Sequence, residues 1–148
     1  MSMNFFLKAF DAERTDAMTR NHALIDAWIL RDKQFLEAMD IETAWDVLRT
    51  ALKGDGFGHD TEVDDVLFNG CLIVSPVLVK REARVLASWS AEGLLEALDE
   101  LGPGSDLYHA EVWLDEDGRD DLVEHFTGLR DFYAKAAEHG WGIVSYLA

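Results

Sequence analysis

The stretch from Leu114 to Leu147 constrains the fold more than any other part of this chain. The run LDEDGRDDLVEHFTGLRDFYAKAAEHGWGIVSYL reads as acidic cap, long amphipathic helix, glycine stop and closing strand. Leu122, Phe126, Leu129, Tyr133 and Ala137 recur at helical spacing, a stripe that has to face a core. Acidic and small polar residues crowd the positions from Asp115 to Asp121, where the helix begins and its dipole favours negative charge. Gly140 suits the left-handed residue that ends a helix, and Ile143 to Leu147 then read as an apolar strand. This is architecture, and no catalytic signature accompanies it.

The 148 residues fit one domain, 1–148, and a chain near that size buries roughly 70% of the surface its unfolded form exposes. A hydrophobic fraction of 49%, with five Trp and eight Phe, supplies the core and rules out global disorder. Twenty-nine acidic against 13 basic residues give a net charge of -16. A field of that sign repels phosphate backbones and anionic lipid, so nucleic acid and membrane surfaces are disfavoured. A basic protein partner is compatible with it, and so is plain solubility. Cys71 is the sole cysteine, which leaves no internal disulfide and makes a reducing cytoplasm the natural compartment. Met1 to Ala12 lacks the basic opening and long apolar run of a signal peptide. No stretch approaches the ~18 apolar residues of a membrane-spanning helix.

Met3 to Phe10 reads as a first strand. Asp11 or Thr15 then caps a helix towards Arg31, with Met18, His22, Ile25 and Ile29 on one face. Gln34 to Met39 suggests a separate helical turn, and Asp40 caps a helix that buries Ala44, Val47, Leu48, Ala51 and Leu52 before Gly54 ends it. Asp55 to Asp60 is a glycine-rich loop, and Glu62 to Phe68 reads either as a short helix or as an extended link. Cys71 to Val79 reads as a strand, with Pro76 at an edge or a break, and Arg84 to Ala87 as a second short strand. Ser90 caps a helix with Leu94, Leu95, Leu98 and Leu101 inward, stopped by Gly102, Pro103 and Gly104. Tyr108 to Leu114 reads as a loop or short strand. The order predicts an α+β fold: a small, mostly antiparallel sheet that includes the N- and C-terminal strands, covered by several helices.

Three blocks together carry a resemblance. Asp40-Ile41 leads to Trp45-Asp46-Val47-Leu48 and closes at Leu52-Lys53-Gly54. Asn69-Gly70 precedes an apolar strand, a short strand, a Ser and the helix ending at Leu101. Leu129-Arg130-Asp131-Phe132-Tyr133-Ala134-Lys135-Ala136-Ala137-Glu138 runs into Gly140 and a final strand. In order and spacing these resemble the YfbM-like family of uncharacterised bacterial proteins, a domain-of-unknown-function family, over nearly the whole chain. Two positions depart from the family pattern: Arg49 stands where it often has His, and Asn69-Gly70 where it often has Gly-Gly. If the family's His were catalytic, this member would lack the chemistry. The resemblance implies a small bacterial α+β domain and transfers no activity.

Candidate chemistry lies in two groups. Trp45, Asp46 and Arg49 open the best-defined helix, and a carboxyl beside an indole is a functional candidate because desolvation there favours the neutral acid. A carboxylate in a first helical turn also simply suits the dipole, and that packing account is preferred. Asp55, His59 and Asp60, followed by Asp64 and Asp65, hold several oxygens of the kind a hard divalent cation takes. The EF-hand spacing is absent, both here and in Asp115-Glu116-Asp117-Gly118, so a solvated loop with a helix cap accounts better for each. Gly54, Gly56 and Gly58 superficially suggest a phosphate cradle, but the loop follows a helix, lacks the Lys-Ser/Thr ending and is flanked by acids.

His22, His59, His109, His125 and His139 include no His-Glu-x-x-His pair. Cys71 reads as a buried, inert thiol, and Ser75, Ser88, Ser90 and Ser105 lack a nucleophile elbow. No cofactor or metal site is therefore expected. Tyr108, His109 and Trp113, aromatics on a segment with little helical pattern, are the first choice for a partner site.

The favoured expectation is a non-enzymatic, acidic binding protein acting on a basic protein partner, of inhibitor or immunity type. The alternative is a small metal-assisted hydrolase using the loop carboxylates and His59. A monomer and a homodimer of structural role both remain open.

Overall fold

The computed structural model describes residues 2–101 and 106–148. Its strands are β1 (Phe5–Phe10), β2 (Glu37–Asp40), β3 (Thr61–Val63), β4 (Cys71–Val74) and β5 (Gly142–Leu147), in one antiparallel sheet of order β2-β1-β5-β4-β3. The two chain-end strands are neighbours, with Leu7 opposite Ser145 and Ala9 opposite Ile143. β5 also pairs with β4, so it runs through the middle of the sheet, and Gly142 to Tyr146 are all buried. A strand covered on both faces has no solvent side to mark with polar residues, hence its continuous apolar reading.

The helices are α1 (Ala12–Arg20), α2 (Ala23–Asp26), α3 (Trp45–Ala51), α4 (Pro76–Ala87), α5 (Ala91–Leu101), α6 (Ala110–Trp113) and α7 (Glu116–His139). One core joins Phe5, Leu7, Val74 and Ile143 of the sheet to Leu48, Leu86, Leu94, Phe126 and Tyr133 from the longer helices. The other joins Phe10, Ile73, Val144 and Tyr146 to Met18, Ile25 and Ile29. Strand alternation sends successive residues to these two cores. The fold is thus α+β, with both termini built into the sheet. Along α7, Leu122, Phe126, Leu129 and Tyr133 face inward as expected, and Ala136 replaces Ala137 as the fully buried member. Asp115 caps α7 by accepting from Asp117 N–H, and Gly140, at φ +72°, ends it.

Several local expectations are corrected. The helix towards Arg31 is broken at Asn21, whose backbone is extended and whose side-chain oxygen accepts from Ala23 N–H at 3.2 Å. A short polar side chain that bonds its own backbone competes with the helix. The chain resumes as α2 and a π-helical turn, Ala27–Arg31, and His22 lies exposed at the break rather than on the apolar stripe. Asp11, not Thr15, is the cap of α1, accepting from Arg14 N–H at 2.7 Å. Within Gln34 to Met39 the chain forms β2, not a helical turn, because the open edge of β1 pairs with it.

Asp40 accepts from Glu42 N–H, and a 3-10 turn, Glu42–Ala44, precedes α3. The strand expected over Cys71 to Val79 stops at Val74. Ser75 caps α4 with its hydroxyl accepting from Leu78 N–H, and Pro76 takes the first helical position, where its missing N–H costs nothing. Arg84 to Ala87 consequently lies in the last turn of α4 and is not a strand. Glu62 and Val63 belong to β3, and the segment from Tyr108 contains the helical turn α6. The expected stop at Gly102, Pro103 and Gly104, like Ser105, lies outside the described residues.

Gly118, in the first turn of α7, is set by contact. A Cβ there would sit 1.9 Å from the Val112 carbonyl oxygen and 3.0 Å from Trp113 Cα, both backbone atoms of α6. Gly118→Ala is expected to lower the unfolding free energy by about 3 kcal/mol, since neither atom can move aside. Urea unfolding of the variant checks this, and a loss under ~1 kcal/mol would show that the two helices do not press together there.

Candidate functional site

The two aromatic groups that sequence treats separately meet on one face. Tyr108 N–H donates to Asp46 Oδ2 at 3.0 Å across 62 positions of sequence. Asp46 Oδ1 accepts from the Arg49 guanidinium at 2.5 Å, and that guanidinium lies 5.6 Å over the Trp45 ring. The Trp45 and Tyr108 ring centroids are 5.2 Å apart. Trp45 Nε1–H donates to the Met3 carbonyl, while Met3 N–H donates to the Tyr108 hydroxyl. Asp46 thus works as a brace: placed in the first turn of α3, it holds both its own arginine and a distant loop.

His109 sits edge-on to Tyr108 at 4.3 Å, in a left-handed backbone conformation of φ +54° just before α6. Tyr108 and His109 are half-buried. Trp113 is buried, with its indole N–H donating to Thr43 Oγ1 at 3.0 Å and its ring edge-on to His125. It anchors the segment from beneath. His125 Nε2 in turn lies 2.8 Å from the Glu42 carboxylate.

A cleft of about 210 Å³ opens beside Trp45 and Arg49. Glu62, Asp64, Asn69 and Tyr146 also line it. Asn69 is fixed there by its side-chain donation to the Leu147 carbonyl. An arginine stacked on an indole next to carboxylates offers both signs of charge and a flat apolar surface, a combination that recognises polypeptide or planar groups.

Asp55, His59 and Asp60 do not line that cleft. Asp55 accepts the Trp89 indole N–H at 2.9 Å. Asp60 accepts from both the N–H and the hydroxyl of Ser75, at 2.7 and 2.6 Å, and so supports the start of α4. His59 is exposed. Between them the glycine loop does cradle an anion, but one from this chain. Glu82, buried on α4, accepts from Gly56 N–H at 3.2 Å and Gly58 N–H at 2.7 Å. A Cβ on Gly58 would come within 2.7 Å of that carboxylate oxygen. Successive backbone N–H groups form a natural nest for negative charge, and here Glu82 fills it.

Glu82 has no local mark in the sequence, because the residues around it read as strand and link. As a helix the same residues place Glu82 between Val79 and Leu86 on the buried stripe, an acidic residue where an apolar one belongs. Among the described residues no group of three or more His, Cys, Asp and Glu side chains stands close enough to hold a metal ion. Cys71 is buried in β4, and burial, helped by the charge of Asp26, pushes its thiol up to about 12.

The DUF1877 family model, described as a domain of unknown function, matches residues 1–146. No curated protein matches the sequence. Among solved structures, the crystal structure of YfbM from Escherichia coli, a protein of unknown function, superposes with a TM-score of 0.66 at 14% identity, covering 99% of each chain. At that identity the likeness speaks for the fold.

Two outcomes follow from the buried groups. Glu82→Ala leaves the Gly56 and Gly58 N–H groups without their acceptor and is expected to cost about 2–3 kcal/mol in urea unfolding. A loss no larger than that of an exposed acid-to-alanine change would show that the loop holds itself. Cys71 carries a raised thiol, so its reactive thiolate is scarce in the native chain at all pH values well below about 12. Iodoacetamide at neutral pH is expected to alkylate it at least ~100-fold faster after unfolding in urea; equal rates would contradict the burial.

Proposed function

Since the chain belongs to the DUF1877 family, whose description assigns no activity, we propose from its own surface that it is a non-enzymatic binding protein for a basic protein partner, of inhibitor or immunity type. The observation that carries this reading is the net charge of -16 on a domain of 148 residues. With 13 cations against 29 carboxylates, the chain's own cations can balance fewer than half of its acids. Such a field accelerates encounter with a cationic protein and repels nucleic acid and anionic lipid. No helix among the described residues is long and apolar enough to cross a membrane. A single buried cysteine suits a reducing, cytoplasmic setting, in a monomer or a homodimer.

The contact face in this reading is the braced aromatic group of Trp45, Arg49, Tyr108 and His109, with Trp113 as its buried support. Rings fixed by hydrogen bonds lose little freedom on binding, which is what an interface anchor needs. The metal-assisted hydrolase reading has less support. Asp55 and Asp60 already serve Trp89 and Ser75, and His59 stands alone on the surface.

The immobilised chain is expected to retain a basic protein from a bacterial lysate at ~20 mM salt and to release it as salt rises towards ~0.3 M. Retention of nothing at the lower ionic strength removes the proposal. If instead divalent cations raised Tm while no protein bound, the hydrolase reading would take its place.

A further inference from the structure

Phe68 is 95% exposed, the highest value of any large apolar side chain among the described residues. The backbone holds it there. Leu67 and Phe68 both take left-handed φ values, +52° and +64°, a conformation that side chains of their bulk disfavour. The pair splits the two residues: Leu67 turns into the second core at 3% exposure, and Phe68 turns out. Four hydrogen bonds lock the turn. Asp26 Oδ1 accepts from Leu67 N–H at 2.8 Å, the Leu67 carbonyl from Asn69 N–H, the Val66 carbonyl from Gly70 N–H, and the Leu147 carbonyl from the Asn69 side chain.

Leu30, itself 48% exposed, joins Phe68 in lining a cleft of about 460 Å³. It comes from the π-helical turn Ala27–Arg31, an irregular helical geometry often found at functional sites. The titratable groups lining this cleft are Asp26, Asp64 and Asp65. Asp64 lines the Trp45 cleft as well, so the two surfaces adjoin.

We infer that Phe68 and Leu30, rimmed by Asp26, Asp64 and Asp65, form a docking surface for a basic protein partner that presents an apolar socket flanked by lysines or arginines. The inference rests on the binding-protein reading above and extends its contact face past Asp64, which lines both clefts. An aromatic ring held out by a locked turn arrives already ordered, so little freedom is lost when it is covered. Such a ring is a typical anchor of interface affinity, and a carboxylate rim selects a cationic border. A second copy of this chain would bring carboxylates against carboxylates, and an anionic lipid surface would be repelled in the same way.

The test compares the immobilised wild type with Phe68→Ala, Phe68→Gly, the double change Asp64→Asn with Asp65→Asn, and Val77→Ala, using a bacterial lysate at ~20 mM salt. Val77, 81% exposed on α4, is the control for exposed apolar area elsewhere. Phe68→Gly also fits the left-handed φ, so its Tm is expected at or above the wild-type value, which separates lost binding from lost folding. The expected result is retention of a basic protein that falls at least ~10-fold in both Phe68 variants, stays unchanged in Val77→Ala, and shows a weaker salt dependence in the Asp pair. Undiminished retention in the Phe68 variants overturns this surface and leaves the binding reading standing. No retention by the wild type overturns both. A wild-type dimer in light scattering that Phe68→Ala converts to monomer would make a second copy the occupant and overturn the inference.

Discussion

The entry of β5 between β1 and β4 is the pairing on which the remaining architecture depends. β3 and β4 reach the rest of the sheet only through β5, and β1 and β2 stand on its other side. Beyond the strand itself, Asn4 and Ala148 exchange both backbone hydrogen bonds, at 2.8 and 3.0 Å, which ties the two ends of the chain together. Both cores draw on this strand, Ile143 for the one and Val144 with Tyr146 for the other. α7, which packs along α4, delivers it. Folding therefore has to close nearly the full length of the chain before either core is complete, a cost in loop entropy that burial on two faces repays only at the end.

Such long-range closure explains which parts of the fold sequence could disclose. α7 and its closing strand were legible because cap, stripe, glycine and strand lie consecutively within one segment. The helices after Asp40 and Ser90 carried the same local grammar. β2 did not, since Gln34 to Met39 has no strong pattern and its state is decided by the free edge of β1. Ser75-Pro76 was ambiguous in a different way. Pro after a β-branched run breaks a strand and equally opens a helix, and only the hydroxyl of Ser75 on Leu78 N–H selects the second. Reading that junction as strand also hid Glu82, because a buried acid is conspicuous only once its helical face is known.

The same limit applied to the candidate site. Trp45, Asp46 and Arg49 were visible as one group and Tyr108, His109 and Trp113 as another, but the hydrogen bond from Tyr108 N–H to Asp46 spans 62 positions and has no local signature. Its consequence is to change what Asp46 means. A carboxylate with one oxygen on an arginine and the other on a loop N–H is partnered at both oxygens, which suits a structural brace. Asp55, Asp60 and Glu82 follow the same pattern, each accepting from an indole, a hydroxyl or an amide. The glycine loop looked like a phosphate cradle for a sound physical reason, for its amides do converge on negative charge. The chain supplies that charge itself.

Carboxylates that serve the scaffold leave the departures from local preference to mark what the scaffold does not require. Among the described residues, the non-glycine ones with positive φ are Lys33, Glu42, Lys53, Leu67, Phe68 and His109. Lys33 follows the π-helical turn Ala27–Arg31, Glu42 opens the 3-10 turn before α3, Lys53 precedes Gly54 where α3 ends, and His109 precedes α6. Those are helix boundaries, where a left-handed residue changes the direction of the chain. Leu67 and Phe68 lie at no helix end and occur in succession. Burial accompanies the conformation of Leu67, whereas Phe68 is held by the hydrogen bonds that close the turn around it and its ring is left in water. A turn that needed only to connect β3 to β4 would place a glycine or asparagine at that position, as the chain does at Gly70. A left-handed turn, closed by its own hydrogen bonds, that holds an aromatic ring in water beside three carboxylates suits the docking surface inferred for it.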